Sequence, residues 1–192
     1  MSNPWDRPHP LPERGGAKSP EPVFQAVGRA LSHWELVEQA LAQLYIFLTT
    51  GRHKDFTDPA IRAFGSIVGV KARIAMVRAA SESWFERYPD CPLSENCRLA
   101  LWKCSEWSSR RNDVAHGRVS SAPYNANSWM LYPGLFTTKY SIKGKPKYVF
   151  RVEDMDRYSE GFKSLWEEMN ILSSSLAVWR LANAGKRPKP PS

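Results

Sequence analysis

Toward the C-terminal end, Met155, Tyr158, Phe162, Leu165, Met169, Leu172, Leu176 and Trp179 follow a strict three-four alternation. A strand cannot gather such a set on one side, because its side chains alternate with period two. A helix of 3.6 residues per turn brings them all to one face. A seam of that length must be covered by other helices or by a second copy of the chain, which commits the protein to helix-on-helix packing.

Three more amphipathic segments supply the expected partners. The first runs from about Pro22 to Thr50, with Val23, Val27, Leu31, Trp34, Leu41, Tyr45 and Leu48 inward and Gly51 to end it. The second starts at "TDPA", where Asp58 can cap and Pro59 suits the first turn, and continues to near Pro89. Its inward set is Ile61, Phe64, Val68, Ala72, Ala75 and Ala79, with Gly65 and Gly69 beside it, open to close approach of a neighbouring helix. The third spans about Ser94 to His116 and stops at Gly117, and the seam helix starts near Asp154. Between these two, "SWMLYPGLFTTKYSIKGKPKYVFRV" alternates β-formers with polar residues, and "KGKPK" reads as a turn. The expected fold is all-α: a four-helix bundle over residues 22–183 with a small β-hairpin insertion, 118–152, between the third and fourth helices. A proline-rich tail, 1–21, and a basic tail, 184–192, are expected to be disordered.

A chain of 192 residues suits one domain, and a net charge of +8 favours an anionic partner, nucleic acid before an anionic membrane surface. No apolar run approaches the ~20 residues of a membrane span, and the N-terminus lacks the apolar core of a signal peptide. A cytoplasmic location without membrane contact is expected. Cys91, Cys97 and Cys104 are an odd set, which fits a reducing compartment. Their separations do not suit zinc, so they read as small apolar residues and no metal site is expected.

The densest polar cluster is "SSRRNDVAHGRV", Ser108–Val119. On a helical wheel Arg111 falls inside the apolar sector of Cys97, Leu101, Cys104 and Ala115, and its neighbours at three and four residues include no carboxylate. A guanidinium there needs a partner from elsewhere. Arg110 has Glu106 four residues before it and reads as a solvated surface pair. Asn112 and His116, four apart, share a face, so the amide can hold the imidazole in one tautomer. Arg111 and His116 are about 140° apart around an ideal helix and ~7.5 Å along it, near one another without being stacked; both reach one phosphate if the helix ends at His116 or if a second copy of the motif faces the first. Glu38 is a charge on the apolar face of the first helix. It reads either as a buried ion-pair partner of Arg111 or as the group that orients Arg111 in a site. A structural explanation also covers the histidine, since the helix dipole favours it in a last turn.

The string "RNDVAHG" closing a helix, with "HWELVEQALAQLY" in the first helix, resembles the HEPN superfamily, whose signature is an arginine, four to six residues, then a histidine, with a polar residue commonly after the arginine. The resemblance implies a dimeric helical bundle that brings two motifs into one cleft. It also implies, for many members, a metal-independent endoribonuclease of toxin–antitoxin or antiviral systems without a cofactor, while other members are non-catalytic. Carried over, Arg111 and His116 are the catalytic pair, Asn112 positions the imidazole or the phosphate, and Glu38 supports them. The implied chemistry is attack by the RNA 2′-hydroxyl on the adjacent phosphate, with His116 as general base or acid and Arg111 on the phosphoryl oxygens. A subset carries a modified tyrosine two residues after the histidine. Arg118 stands there, so an antitoxin acting on that residue is not expected, and any antitoxin partner would be of another kind.

From Val119 to Val152 there is no acidic residue. Lys139, Lys143, Lys145, Lys147 and Arg151 interleave with Tyr124, Trp129, Tyr132, Phe136, Tyr140, Tyr148 and Phe150. Together with Arg118, cations that track phosphates and rings that stack on bases describe a single-strand RNA surface. The alternative is that the aromatics pack the hairpin onto the bundle while the lysines solvate an edge. For the whole chain, the alternative to a ribonuclease is a non-catalytic RNA-binding or protein-interaction module of the same fold. A structural dimer working through its seam and proline-rich tail is the third reading.

Overall fold

The computed structural model describes residues 15–50, 57–134, 146 and 148–184. Among them are α1 (Glu21–Thr50), α2 (Thr57–Gly65), α3 (Val70–Arg87), α4 (Ser94–Ala115), β1 (Arg118–Ala122), β2 (Asn125–Tyr132) and α5 (Val152–Ala182). The fold is mainly helical with one small antiparallel sheet. The chain divides into two compact units, Met1–Glu35 with Glu106–Lys163, and Leu36–Ser105 with Ser164–Ser192; α1, α4 and α5 contribute residues to both.

In the first unit the seam of α5 is core: Met155, Tyr158 and Phe162 are fully buried. Phe162 meets Trp34 of α1 edge-on at 5.1 Å and Trp107 of α4 at 5.6 Å, and Tyr158 meets Phe150 at 5.9 Å. Each such ring contributes about 1.5–3 kcal/mol by leaving water. Gly161 permits the packing, because a Cβ there would stand 2.5 Å from Trp107 Cη2. In the second unit Leu165, Met169, Leu172 and Leu176 continue the same buried set, with Trp179 half-buried against Trp84 at 5.7 Å. The seam therefore serves the interior. On α1 the buried apolar residues are Val23, Ala26, Ala30 and Trp34 in the first unit, and Val37, Ala40, Leu41, Leu44 and Leu48 in the second. The face is turned slightly from the one expected, with Val27, Leu31 and Tyr45 half-buried, because alanines carry part of it.

The expected second helix is two helices. Ser66–Gly69 leave the helix, and Val68 is 94% exposed. The break is stitched by Arg73, whose Nε donates to the Ile67 carbonyl at 2.8 Å and whose guanidinium lies over the Phe64 ring. With the phase interrupted, the inward set changes. Phe64, Ile74, Val77, Ser81 and Trp84 are buried, while Ile61, Ala72, Ala75 and Ala79 are exposed. A Cβ at Gly65 or Gly69 would meet nothing within 4 Å, so no described helix approaches them closely. The glycines permit the break.

The hairpin lies earlier than expected. β1 pairs antiparallel with β2, from Arg118 opposite Tyr132 to Ser121 opposite Trp129, with an irregularity at Ser121/Ala122. Its turn is Pro123–Tyr124. "KGKPK" falls on residues that are outside the description except Pro146. The strand-like end of the insertion does return, since Phe150 and Leu131 exchange backbone hydrogen bonds at 2.8 Å. The supposed N-terminal tail also contributes: Ala17 and Trp129 exchange hydrogen bonds at 2.9 and 2.7 Å. The Gly15–Gly16 pair makes this approach sterically feasible. Gly15 holds φ +115°, and a Cβ on Gly16 would stand 2.8 Å from Trp129 N. Residues 1–14 and 185–192 of the two expected tails lie outside the described residues. No described helix is long and apolar enough to cross a membrane.

Candidate functional site

The last three turns of α4 carry the polar cluster, and there burial no longer follows one face. Trp107, Ser108, Arg110, Asp113 and Val114 are all buried. The wheel assumed a single apolar sector, but the end of this helix is enclosed on several sides, and the two arginines exchange roles. Arg110, expected in solvent beside Glu106, is 2% exposed. Its Nη1 lies 2.8 Å from Asp113 Oδ2, both side chains being sealed from water. Arg111, expected at the apolar centre, is half-buried.

The Arg110 ion pair belongs to a larger internal set. Tyr158 is fully buried, and burial pushes its hydroxyl above the usual tyrosine range, opposed by the nearby guanidinium groups of Arg110 and Arg157. Arg157 Nη2 lies 3.4 Å from Asp154 Oδ1, and Asp154 Oδ2 accepts from the Arg151 backbone N–H at 2.9 Å, closing the start of α5. This set fixes the end of α4 to the beginning of α5.

Arg111 Nη1 donates to Asn112 Oδ1 at 3.2 Å. His116 is exposed beyond the helix end, and its backbone N–H donates to the Asn112 carbonyl at 3.1 Å. Among the described residues its imidazole has no hydrogen-bond partner, so the expected clasp by the Asn112 side chain is not formed. The amide holds the guanidinium instead. Gly117 follows because Leu131 packs onto it, with Cγ 2.6 Å from where a Cβ would be. Arg118, the first residue of β1, is exposed, as is Arg151, whose guanidinium passes beside Gly15.

No family model, curated protein or solved structure matches this chain.

Glu38 lies in the second unit, 6% exposed, where Arg73 of α3 donates to its carboxylate. Sequence reasoning passed over Arg73, because nothing in its own helix distinguishes it from other surface cations. Only the stray charge at Glu38 hinted that such a partner was needed. Lys139, Lys143, Lys145 and Lys147 lie outside the described residues. Of the interleaved rings, Tyr132, Tyr148 and Phe150 are buried and unavailable for stacking on bases, Trp129 is half-buried, and Tyr124 is 51% exposed. Phe136 and Tyr140 lie outside the description. For the buried three, packing is the reading that holds.

His33, not singled out from sequence, pairs through Nδ1 with Ser159 Oγ at 2.8 Å. A serine–histidine contact invites a nucleophile reading, but Ser159 is 3% exposed, so the bond ties α1 to α5 within the first unit. Cys91, Cys97 and Cys104 are free and buried. Burial pushes the Cys97 thiol up to about 11 and the Cys104 thiol up further. No group of three or more potential metal ligands occurs among the described residues.

Proposed function

We propose that this chain is an endoribonuclease of HEPN type, a homodimeric four-helix-bundle relative that cleaves RNA without a metal. The observation that carries the reading is the exposed His116 imidazole, unbonded among the described residues, one turn beyond an arginine–asparagine pair at the end of α4. Arg111 meets the phosphoryl oxygens and Asn112 keeps its guanidinium aimed. His116 moves the proton of the attacking 2′-hydroxyl or of the leaving 5′-oxygen. Products are a 2′,3′-cyclic phosphate and a 5′-hydroxyl. With α4 ending at Ala115 and His116 exposed just past it, two copies that face each other at this end bring the arginine of one to the histidine of the other. The net charge of +8 draws the substrate, and Arg118 and Arg151, with the lysines of the insertion, contribute to its path. In a cell the protein acts in the cytoplasm as a toxin or antiviral nuclease, restrained by an antitoxin protein.

One observation favours a second reading, a non-catalytic RNA-binding or protein-interaction module. The Asn112 amide holds the Arg111 guanidinium, and no hydrogen bond among the described residues orients the His116 imidazole for proton transfer. Cleavage in EDTA, end-group analysis of the products and molecular mass in solution separate the two. The nuclease gives cyclic-phosphate ends from a dimer, and the module binds RNA and leaves it intact.

A further inference from the structure

The second unit holds a cavity of about 590 Å³ between the ends of α1, α3 and α5. Its size is that of a small-molecule site. Two arginines line it, Arg87 in the last turn of α3 and Arg180 near the end of α5. No carboxylate lines it, and among the described residues neither arginine has an acidic partner. Arg180 Cζ instead lies over the Tyr88 ring, 4.7 Å from its centroid, a cation–π contact that holds the side chain while its N–H groups can still donate. A cavity whose lining includes two arginines and no carboxylate favours an anionic occupant.

The remaining polar wall has the opposite sense. Thr49 Oγ1 donates to the Tyr45 carbonyl and Thr50 Oγ1 to the Ile46 carbonyl, each at 2.8 Å. With those protons committed to the helix, both hydroxyl oxygens offer only lone pairs to an incoming group. Ser83 lines the cavity with a hydroxyl that makes no hydrogen bond among the described residues, and Trp84 supplies an apolar wall. The complementary molecule carries an anionic group for the arginines and an N–H-bearing flat ring for the threonine oxygens. We infer that this cavity binds a small phosphorylated heterocycle of the nucleoside monophosphate class, read through Arg87 and Arg180.

The site's lining residues all belong to the second unit and include none of the α4 cluster, and its test is independent of ribonuclease activity. Calorimetric titration of the full chain uses AMP, adenosine and inorganic phosphate as probes. AMP binds saturably, and adenosine and phosphate each bind about tenfold more weakly or worse, since one lacks the charge and the other the ring. Arg87→Gln and Arg180→Gln each weaken AMP about tenfold. Arg180→Lys, which keeps the charge if the glutamine variant fails to fold, retains more affinity than Arg180→Gln or, in its absence, than Arg87→Gln. His116→Ala changes nothing here. Absence of AMP binding, adenosine or phosphate binding as tightly as AMP, or AMP affinity unaltered in Arg87→Gln would each overturn the assignment.

Discussion

Arg110→Met tests the division of labour between the two adjacent arginines. The Arg110 and Asp113 side chains are 3% and 2% exposed, so the screening that reduces surface ion pairs to almost nothing does not act on them. Methionine preserves an unbranched apolar stem of similar reach, which keeps the cavity contribution small. What remains is a buried carboxylate that has lost its cation, and breaking a buried pair from one side costs about 3–5 kcal/mol. For a chain of this length each kcal/mol moves the midpoint by about 2–4 °C, so thermal unfolding should fall by about 6–20 °C. Pairing it with Asp113→Leu removes both charges and should recover most of the loss. His116→Ala, at an exposed helix end, should stay within about 0.5 kcal/mol of the parent. Urea unfolding followed by far-ultraviolet circular dichroism, with slopes compared, measures all four proteins. A loss below about 1 kcal/mol for Arg110→Met would mean that the pair is not the internal anchor of α4, and the assignment of structure to Arg110 and chemistry to Arg111 would fall with it.

Other consequences are open to the same assay. Gly161→Ala should destabilise by about 1–3 kcal/mol, because the new methyl meets the Trp107 ring at 2.5 Å. Gly28→Ala, in the interior of α1 with nothing within 4 Å, should stabilise by about 0.5–1 kcal/mol. If the two glycines respond alike, the close packing at Trp107 is wrong. Cys97 gives a pH signature. Its folded-state value of about 11 lies above the ordinary 9.0, so the folded chain holds the thiol proton more tightly than the unfolded chain does. The stabilisation is complete below pH ~9 and declines as pH rises toward ~11, by about 1.4 kcal/mol per unit for this one thiol. Unfolding free energies between pH 9 and 10.5 should fall at least that steeply in the parent and less steeply in Cys97→Ala, where Cys91 and Cys104 still contribute; identical slopes would remove Cys97 as a source.

The seam from Met155 to Leu176 was legible because a long three-four alternation has one physical solution, and the same holds for the bounds of α1, α4 and α5. Gly65 and Gly69 misled, since a glycine in a helical pattern can mean close packing or a break. The deciding contact, Arg73 Nε to the Ile67 carbonyl, joins residues whose relation no periodicity encodes. Gly15–Gly16 fall in the segment expected to be a disordered tail, yet there backbone meets β2, a distinction that depends on the partner strand. At the candidate site the motif Arg111, Asn112 and His116 could be read directly. Which arginine is buried could not, because the wheel describes a helix lying on one core surface and the end of α4 is enclosed on several sides.

Single-turnover cleavage of a uniformly labelled RNA in EDTA, comparing the full chain with His116→Ala and Arg111→Ala, addresses the central claim without intermediates. The account predicts wild-type products ending in 2′,3′-cyclic phosphate and a loss of about 100-fold or more in His116→Ala, with Arg111→Ala comparably impaired. His116→Ala cleaving at the wild-type rate would contradict it.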